Sequence, residues 1–415
     1  MICGSMIIHR ELLGKIIGLF AVQGMNYVAP VLILPLLMRA LNVGEFGLYS
    51  IYISLGALIG TIADMGVSAL ATKTLIDLKE ERQVAERVGS IVLAKVLVLA
   101  VMALGFVLVF LFNLIDLADF RRLGFSALFA LGYIIAPNFY FLAYGRMREY
   151  SFAIAIGKVL LVSMVALGVV ISAKVDFFIF SNAFSSLVSG ILVLYVLGRS
   201  QAVKISRTSV VEARRFISSA RRLGVANLAT LVYTTTPIFV IGKVFGLEAA
   251  GLYGAADKII GAIKGLQMPF VQAFLSEFIK RYSRNSPLSI KSINRMMLLS
   301  LLFGLLLLGL VAGVGDELLK LIGRSVYLDA YPFLVALSLM PALFLISNIL
   351  GNYILQPSGN IRGYMGSIIF GMSVYLLGGG LAVVLNNFYI VIGAVVLCEI
   401  VVCISMYFSV RASYD

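Results

Sequence analysis

The chain has 415 residues, 61% hydrophobic and 13% charged, with 33 Lys and Arg against 20 Asp and Glu and a formal net charge of +13. Soluble domains are roughly 45–50% apolar and about 25% charged, so this chain has too little polar surface to cover itself in water. With one histidine and three cysteines, it offers no disulfide framework and no metal-ligand spacing, and neither a metal nor a cofactor is expected.

Apolar runs of the ~20 residues that cross a bilayer recur at 16–38, 46–70, 88–112, 123–144, 152–172, 177–198, 223–245, 252–276, 296–314, 332–354, 364–385 and 388–409. They lack the strict alternation of barrel strands, and a helix satisfies its own backbone in lipid. The expectation is an all-α integral membrane protein with twelve transmembrane helices. The first run is too long for a cleaved signal and is followed by further spans, so it is expected to remain as span one. Cys398 and Cys403 fall inside span twelve and read as packing residues.

With the N-terminus placed in the cytoplasm, 22 Lys and Arg fall on cytoplasmic segments and seven on the opposite side, while Lys95, Lys158, Lys258 and Lys264 fall inside spans. That asymmetry predicts both termini inside. The densest cluster, residues 199–222, carries seven cations against Glu212 alone. A basic juxtamembrane loop fits the orientation rule and anionic lipid, so membrane lipids rather than nucleic acid are the expected partner.

The sequence also repeats. At an offset of 204 residues, Gln23 meets Asn227, Asn26 meets Thr230, Arg39 meets Lys243, and Gly47-Leu48-Tyr49 meets Gly251-Leu252-Tyr253. At an offset of 214, Asn138, Gly145, Arg148 and Tyr150 meet Asn352, Gly359, Arg362 and Tyr364. Two six-helix bundles are therefore expected, 1–205 and 206–415. Because each has an even number of spans, they are related by a pseudo-two-fold axis along the membrane normal, a transporter pattern.

Polar positions inside spans mark the expected cavity, because ionisable groups at membrane depth face a bundle interior or water. Span one offers Gln23, Asn26 and Tyr27, and span seven Asn227, Thr230, Tyr233 and a threonine run; Pro30, Pro35 and Pro237 are expected to break these two spans, as fixed kinks or as hinges. On span two, Ser50, Ser54, Thr61, Asp64 and Ser68 share a helical face. Asp64 reads either as an ion-coupling carboxylate or as a structural one held by Thr61 and Ser68. The pairs Gly56/Gly60 and Gly261/Gly265 read as close helix contacts. Lys95, Lys158, Lys258 and Lys264, with Arg39 and Lys243 at the outer rim, outnumber the in-span acids Asp64, Asp257 and Glu399. A cavity with that balance favours an anionic cargo, the alternative being lysines that snorkel to the interface.

The segments "VLILPLLMRALNVGEFGLYSIYISLGALIGTIADMGVSALATK" (31–73), "FYFLAYGRMREYSFAIAIGK" (139–158) and "ILGNYILQPSGNIRGY" (349–364) resemble Wzx-type O-antigen flippases. The chain departs from that family where Trp and Gln-Gly-Leu-Glu are usual, reading Ala143, Tyr144, Gly145 and Arg146. The resemblance implies a transporter of the multidrug/oligosaccharidyl-lipid/polysaccharide exporter superfamily in a bacterial inner membrane. Its implied cargo is an undecaprenyl-pyrophosphate-linked repeat unit, and its implied partners are this lipid-linked oligosaccharide and the polymerase and chain-length proteins of the same pathway. A monomer is expected. The alternative is an ion-coupled drug exporter of the same superfamily. An enzyme is not expected: the outer loops are short, the one histidine is His9, and no nucleophile-base pair or phosphate-cradling loop is evident.

Overall fold

The computed structural model describes residues 28–64, 66–76, 78, 80–113, 115–199, 209–282 and 290–413. Among them the elements are helices α1 (Val28–Ala40), α2 (Val43–Asp64), α3 (Val67–Ile76), α4 (Glu81–Leu111), α5 (Leu117–Ile134), α6 (Asn138–Ala143), α7 (Met147–Val170), α8 (Val175–Arg199), α9 (Ser209–Thr234), α10 (Thr236–Val244), α11 (Leu247–Tyr282) and α12 (Ile290–Ile322). A 3-10 turn (Ser325–Ala330), α13 (Tyr331–Leu337), α14 (Met340–Leu350), a π turn (Gly351–Leu355), α15 (Ile361–Val384) and α16 (Phe388–Arg411) complete them. Ten described helical segments are long and apolar enough to cross a membrane. They fall on expected spans two to seven and nine to twelve. Only the later part of span one is described, as α1, and α11 covers span eight.

The breaks within spans have local causes. Span two is not one helix: it ends at Asp64, and Gly66 takes φ +75°, a conformation that favours glycine, before α3 starts. Span four is broken ahead of α6, where Pro137 occupies the cap position. Span seven breaks at Thr235 with Pro237 in the first turn of α10, as expected. Pro35, by contrast, lies within the unbroken helix Val28–Ala40, so the expected break there is absent.

Internal contacts divide the described chain into two compact units, one drawn from Met1–Gly47 with Val232–Asp415 and one from Leu48–Leu231. In the Leu48–Leu231 unit, α5 and α8 approach at Gly132 and Gly190, where an added Cβ would strike Ser186 backbone and Gly132 O respectively. Gly56 lies against Phe129 and the Ser126 carbonyl, and Gly60 against Tyr133, bearing out that pair as a close helix contact. Gly261 has nothing within 4 Å of a built Cβ, so the second expected pair is not a contact of that kind at Gly261. One apolar core joins Val67, Leu75, Ile91, Phe139, Phe141 and Leu197, and another joins Ile59, Leu99, Ala130 and Ile134.

In the other unit the repeated loop shows what its glycines are for. Asn42 accepts from the Glu45 amide (2.8 Å) and Glu45 accepts from the Asn42 amide (3.0 Å), a reciprocal cap that starts α2. Gly47 then presses on α11: a Cβ there would overlap Leu247 O and Gly251 N, while a Cβ on Gly251 would overlap Val43 O. The equivalent glycines of the two repeats are thus in backbone contact. Phe46 packs edge-on to the buried Tyr327 at 5.8 Å, and Tyr327 donates to Leu41 O (3.3 Å).

Any side chain at Gly47 or Gly251 must push two helix backbones apart, which costs about 1–3 kcal/mol or more. Gly47→Ala and Gly251→Ala are expected to lower thermal stability in detergent, whereas Gly44→Ala, whose Cβ would sit 3.6 Å from its nearest neighbour, leaves it unchanged. Equal melting temperatures for all three would refute this packing.

Candidate transport site

Within the Leu48–Leu231 unit, the turn at Gly66 brings Ser68 back over Asp64, and the Ser68 hydroxyl donates to Asp64 Oδ1 at 2.5 Å. Lys95, from the middle of α4, places Nζ 2.6 Å from Asp64 Oδ1 and 2.6 Å from Ser68 Oγ. Its ammonium also lies 5.0 Å from the Phe139 ring centroid, a favourable place for a desolvated cation. Lys95 is 3% exposed and the Asp64 side chain 13%. Each charge offsets the other at a depth where either alone is expensive. Lys95 is therefore paired with Asp64, and Asp64 is held by Lys95 and Ser68. Thr61, expected to help, instead donates to Ala57 O at 2.9 Å.

A second network in this unit was not anticipated from sequence. Tyr52 donates to Asp119 Oδ1 (2.8 Å), Arg122 pairs with Asp119 (3.1 Å) and with Asp176 (2.7 Å), and Arg121 also pairs with Asp176. It ties α2, α5 and α8 together. Its members lie 54 to 124 residues from one another except within Asp119–Arg122, and only the adjacent arginines near Asp116 and Asp119 hinted at it. Lys158 is half-buried on α7 without a hydrogen bond or ion pair among the described residues, and Asn227 is half-buried on α9. Gln23 and Asn26 lie outside the described residues.

In the other unit, Lys264 on α11 sits 5.8 Å from the Phe344 ring centroid of α14 and near enough to Glu399 for their charges to interact. Glu399, 5% exposed on α16, accepts from Ser347 Oγ at 2.8 Å. No ion pair within 4 Å holds Lys264 among the described residues, so it is less committed than Lys95. Lys258 is half-buried on the same helix. Lys243 is exposed in the last turn of α10. Arg39 donates to Leu321 O at 2.6 Å, near the last turn of α12, which gives it a helix-capping role. Cys398 and Cys403 are buried free thiols, as expected of packing residues.

A helical chain with many membrane spans, with one largely buried ion pair and other in-span cations without an ion pair among the described residues, has the make-up of a membrane transporter. Its fold agrees. It matches lipid II flippase MurJ in an inward closed conformation with TM-score 0.74, 12% identity, and coverage of 94% of this chain and 87% of that one. It matches an inward-facing multidrug resistance MATE family transporter of the MOP superfamily with TM-score 0.65, 13% identity and 94% coverage of both. In sequence it is 23% identical over 339 residues to a protein of Escherichia coli K12 described as "Putative O-antigen transporter", covering 81% of each. A Shigella dysenteriae protein of the same description is 22% identical over 367 residues, 88% of this chain and 91% of its own. Residues 12–276 match the family described as "Polysaccharide biosynthesis protein". The chain belongs to that family.

Removing one partner of the Asp64–Lys95 pair strands a charge at membrane depth, at a cost of about 3–5 kcal/mol. Asp64→Ala and Lys95→Met are each expected to lower the melting temperature, and the double variant to recover most of the loss. Additive losses in that double-mutant cycle would show that the two groups do not act as a pair.

Proposed function

We propose that this protein is a flippase that moves an undecaprenyl-pyrophosphate-linked saccharide repeat unit from the cytoplasmic to the periplasmic leaflet of a bacterial inner membrane, for O-antigen or surface polysaccharide synthesis. The observation that carries the reading is the family match, supported by relatives described as O-antigen transporters along more than four fifths of the chain. The flippase fold of the MurJ neighbour supports it further. In this reading twelve helices form two six-helix bundles, 1–205 and 206–415, that expose the cargo to one side and then the other by alternating access. Both termini are cytoplasmic, where the basic loops lie. Contact between Gly47 and Gly251 supports a two-fold relation of the repeats. The protein acts without a catalytic site, as a monomer, beside the polymerase and chain-length proteins of its pathway.

Lys264 and Lys258 serve the diphosphate. They are six residues apart on α11, roughly 9 Å along its axis, so they meet the anion at successive positions. A lysine is a mobile point charge, suited to a headgroup that must leave again. Lys158, Lys243 and Arg39 shape the positive potential, and Lys95 contributes through Asp64, which couples transport to an ion when the pair opens. Gln23, Asn26 and Asn227 contact the cargo's polar groups. The multidrug resistance neighbours favour a second reading, an ion-coupled exporter of drugs. An excess of lysines over carboxylates in the spans suits organic cations poorly.

In proteoliposomes, a tagged undecaprenyl-diphosphate saccharide should reach the opposite leaflet with the native protein and no fluorescent organic cation should be exported. Lys264→Ala is expected to reduce flipping by about tenfold or more, with Lys264→Arg retaining more activity than Lys264→Gln. If glutamine serves as well as arginine, charge at this position is not what the cargo reads.

A further inference from the structure

Span ten carries a line of carboxamides that none of the roles above uses. Gln356 Nε2 donates to Asn352 Oδ1 (2.6 Å), Asn352 Nδ2 donates to Asn348 Oδ1 (2.8 Å), and Asn348 Nδ2 donates to Phe344 O (2.8 Å). Each rung is four residues from the next, and the line ends on the backbone carbonyl of Phe344, the residue whose ring centroid lies 5.8 Å from Lys264 Nζ. In an α-helix every fourth residue overshoots alignment by about 40°. Here Gly351–Leu355 form a π turn, whose extra residue per turn rotates the later rungs back into line. Such turns are frequent at functional sites.

The stripe is polar where lipid contact would be costly. Asn352 is exposed and Asn348 half-buried, and both lie within the span Ser325–Leu355. Asn348 is about 10 Å inside the end of that span, at ~1.5 Å per residue. The ladder uses one N–H of each carboxamide, leaving further donors and lone pairs on Asn348 and Asn352. A further polar group is left unpaired on α11, the helix that bears Lys264. Gln267, one turn from Lys264 on α11, has both carboxamide atoms shut away from solvent without a hydrogen-bond partner among the described residues. A buried amide left unpaired costs about 1–3 kcal/mol, and each such group calls for an explanation.

We infer that Asn348, Asn352 and Gln356 form a saccharide-binding track that takes the hydroxyl groups of the cargo while Lys264 takes its anionic group. A sugar hydroxyl both donates and accepts, as a carboxamide does, so a row of amides reads successive hydroxyls without fixing one sugar. The inference rests on the flippase reading and assigns this stripe to the neutral, sugar-bearing part of the cargo.

The test measures binding to the full-length protein in nanodiscs of two lipids, undecaprenyl diphosphate and the same lipid bearing N-acetylglucosamine. The native protein is expected to bind the glycosylated lipid about tenfold tighter or more, the worth of one or two net hydrogen bonds. Combined Asn348→Leu and Asn352→Leu should abolish that preference while leaving affinity for the bare lipid unchanged, and Asn352→Gln should retain it. If the double variant does not fold by thermal-stability measurement, Asn352→Leu alone keeps the Asn348 bond to Phe344 O and should show an intermediate preference. A native protein without preference, or leucine variants that keep it, would overturn the track. Binding of neither lipid by the native protein would overturn the flippase reading itself.

Discussion

A charge inside a bilayer is affordable only when it is paired or wet, and the internal order of this protein follows from that constraint. Asp64 and Lys95 take the first solution: they meet at 2.6 Å, with the Ser68 hydroxyl bonded to both and the Phe139 ring near the ammonium. This closes a polar knot among α2, α3, α4 and α6. Lys264 is held differently, with an aromatic ring and a carboxylate nearby but no ion pair among the described residues. One arrangement suits a fixed counter-ion and the other a group that exchanges partners with a moving anion.

The backbone is arranged to deliver these groups. Gly66 turns the chain so that Ser68 returns to Asp64, and the break at Pro137 starts the short helix that bears Phe139. The π turn at Gly351–Leu355 brings the carboxamides of span ten into one line that ends on the Phe344 carbonyl. Glycines without Cβ let helices approach at Gly132, Gly190, Gly47 and Gly251, which fixes how far apart the polar groups stand. Irregular backbone therefore coincides with polar side chains, as it must where freed carbonyls need partners away from lipid.

Much of this was legible from the sequence because lipid imposes a simple rule on composition and run length. The spans, the basic loops and the Gly-Leu-Tyr repeat can be read from residue order alone, and ten described helices fall on expected spans. Pairings were not legible. The partner of Lys95 lies 31 positions away across a turn that only Gly66 signals. The Tyr52–Asp119–Arg122–Asp176 network joins three helices distant in sequence, and no periodicity announces such a contact. Of the span-ten carboxamides only Asn352 was visible in the repeat, as the partner of Asn138, and the four-residue ladder depends on a π turn that propensity does not foretell.

The central claim of the proposed function is that the Asp64–Lys95 pair stays closed until the coupling ion opens it, whereas Lys264 meets water and cargo. Cysteine accessibility in membranes tests it most directly, in a background where Cys3, Cys398 and Cys403 are replaced by alanine. A water-soluble thiol reagent is predicted to modify a cysteine at Lys264 rapidly, more slowly when undecaprenyl-diphosphate saccharide is present, and to leave a cysteine at Ser68 unmodified. Rapid modification at Ser68 together with an inert cysteine at Lys264 would contradict the account.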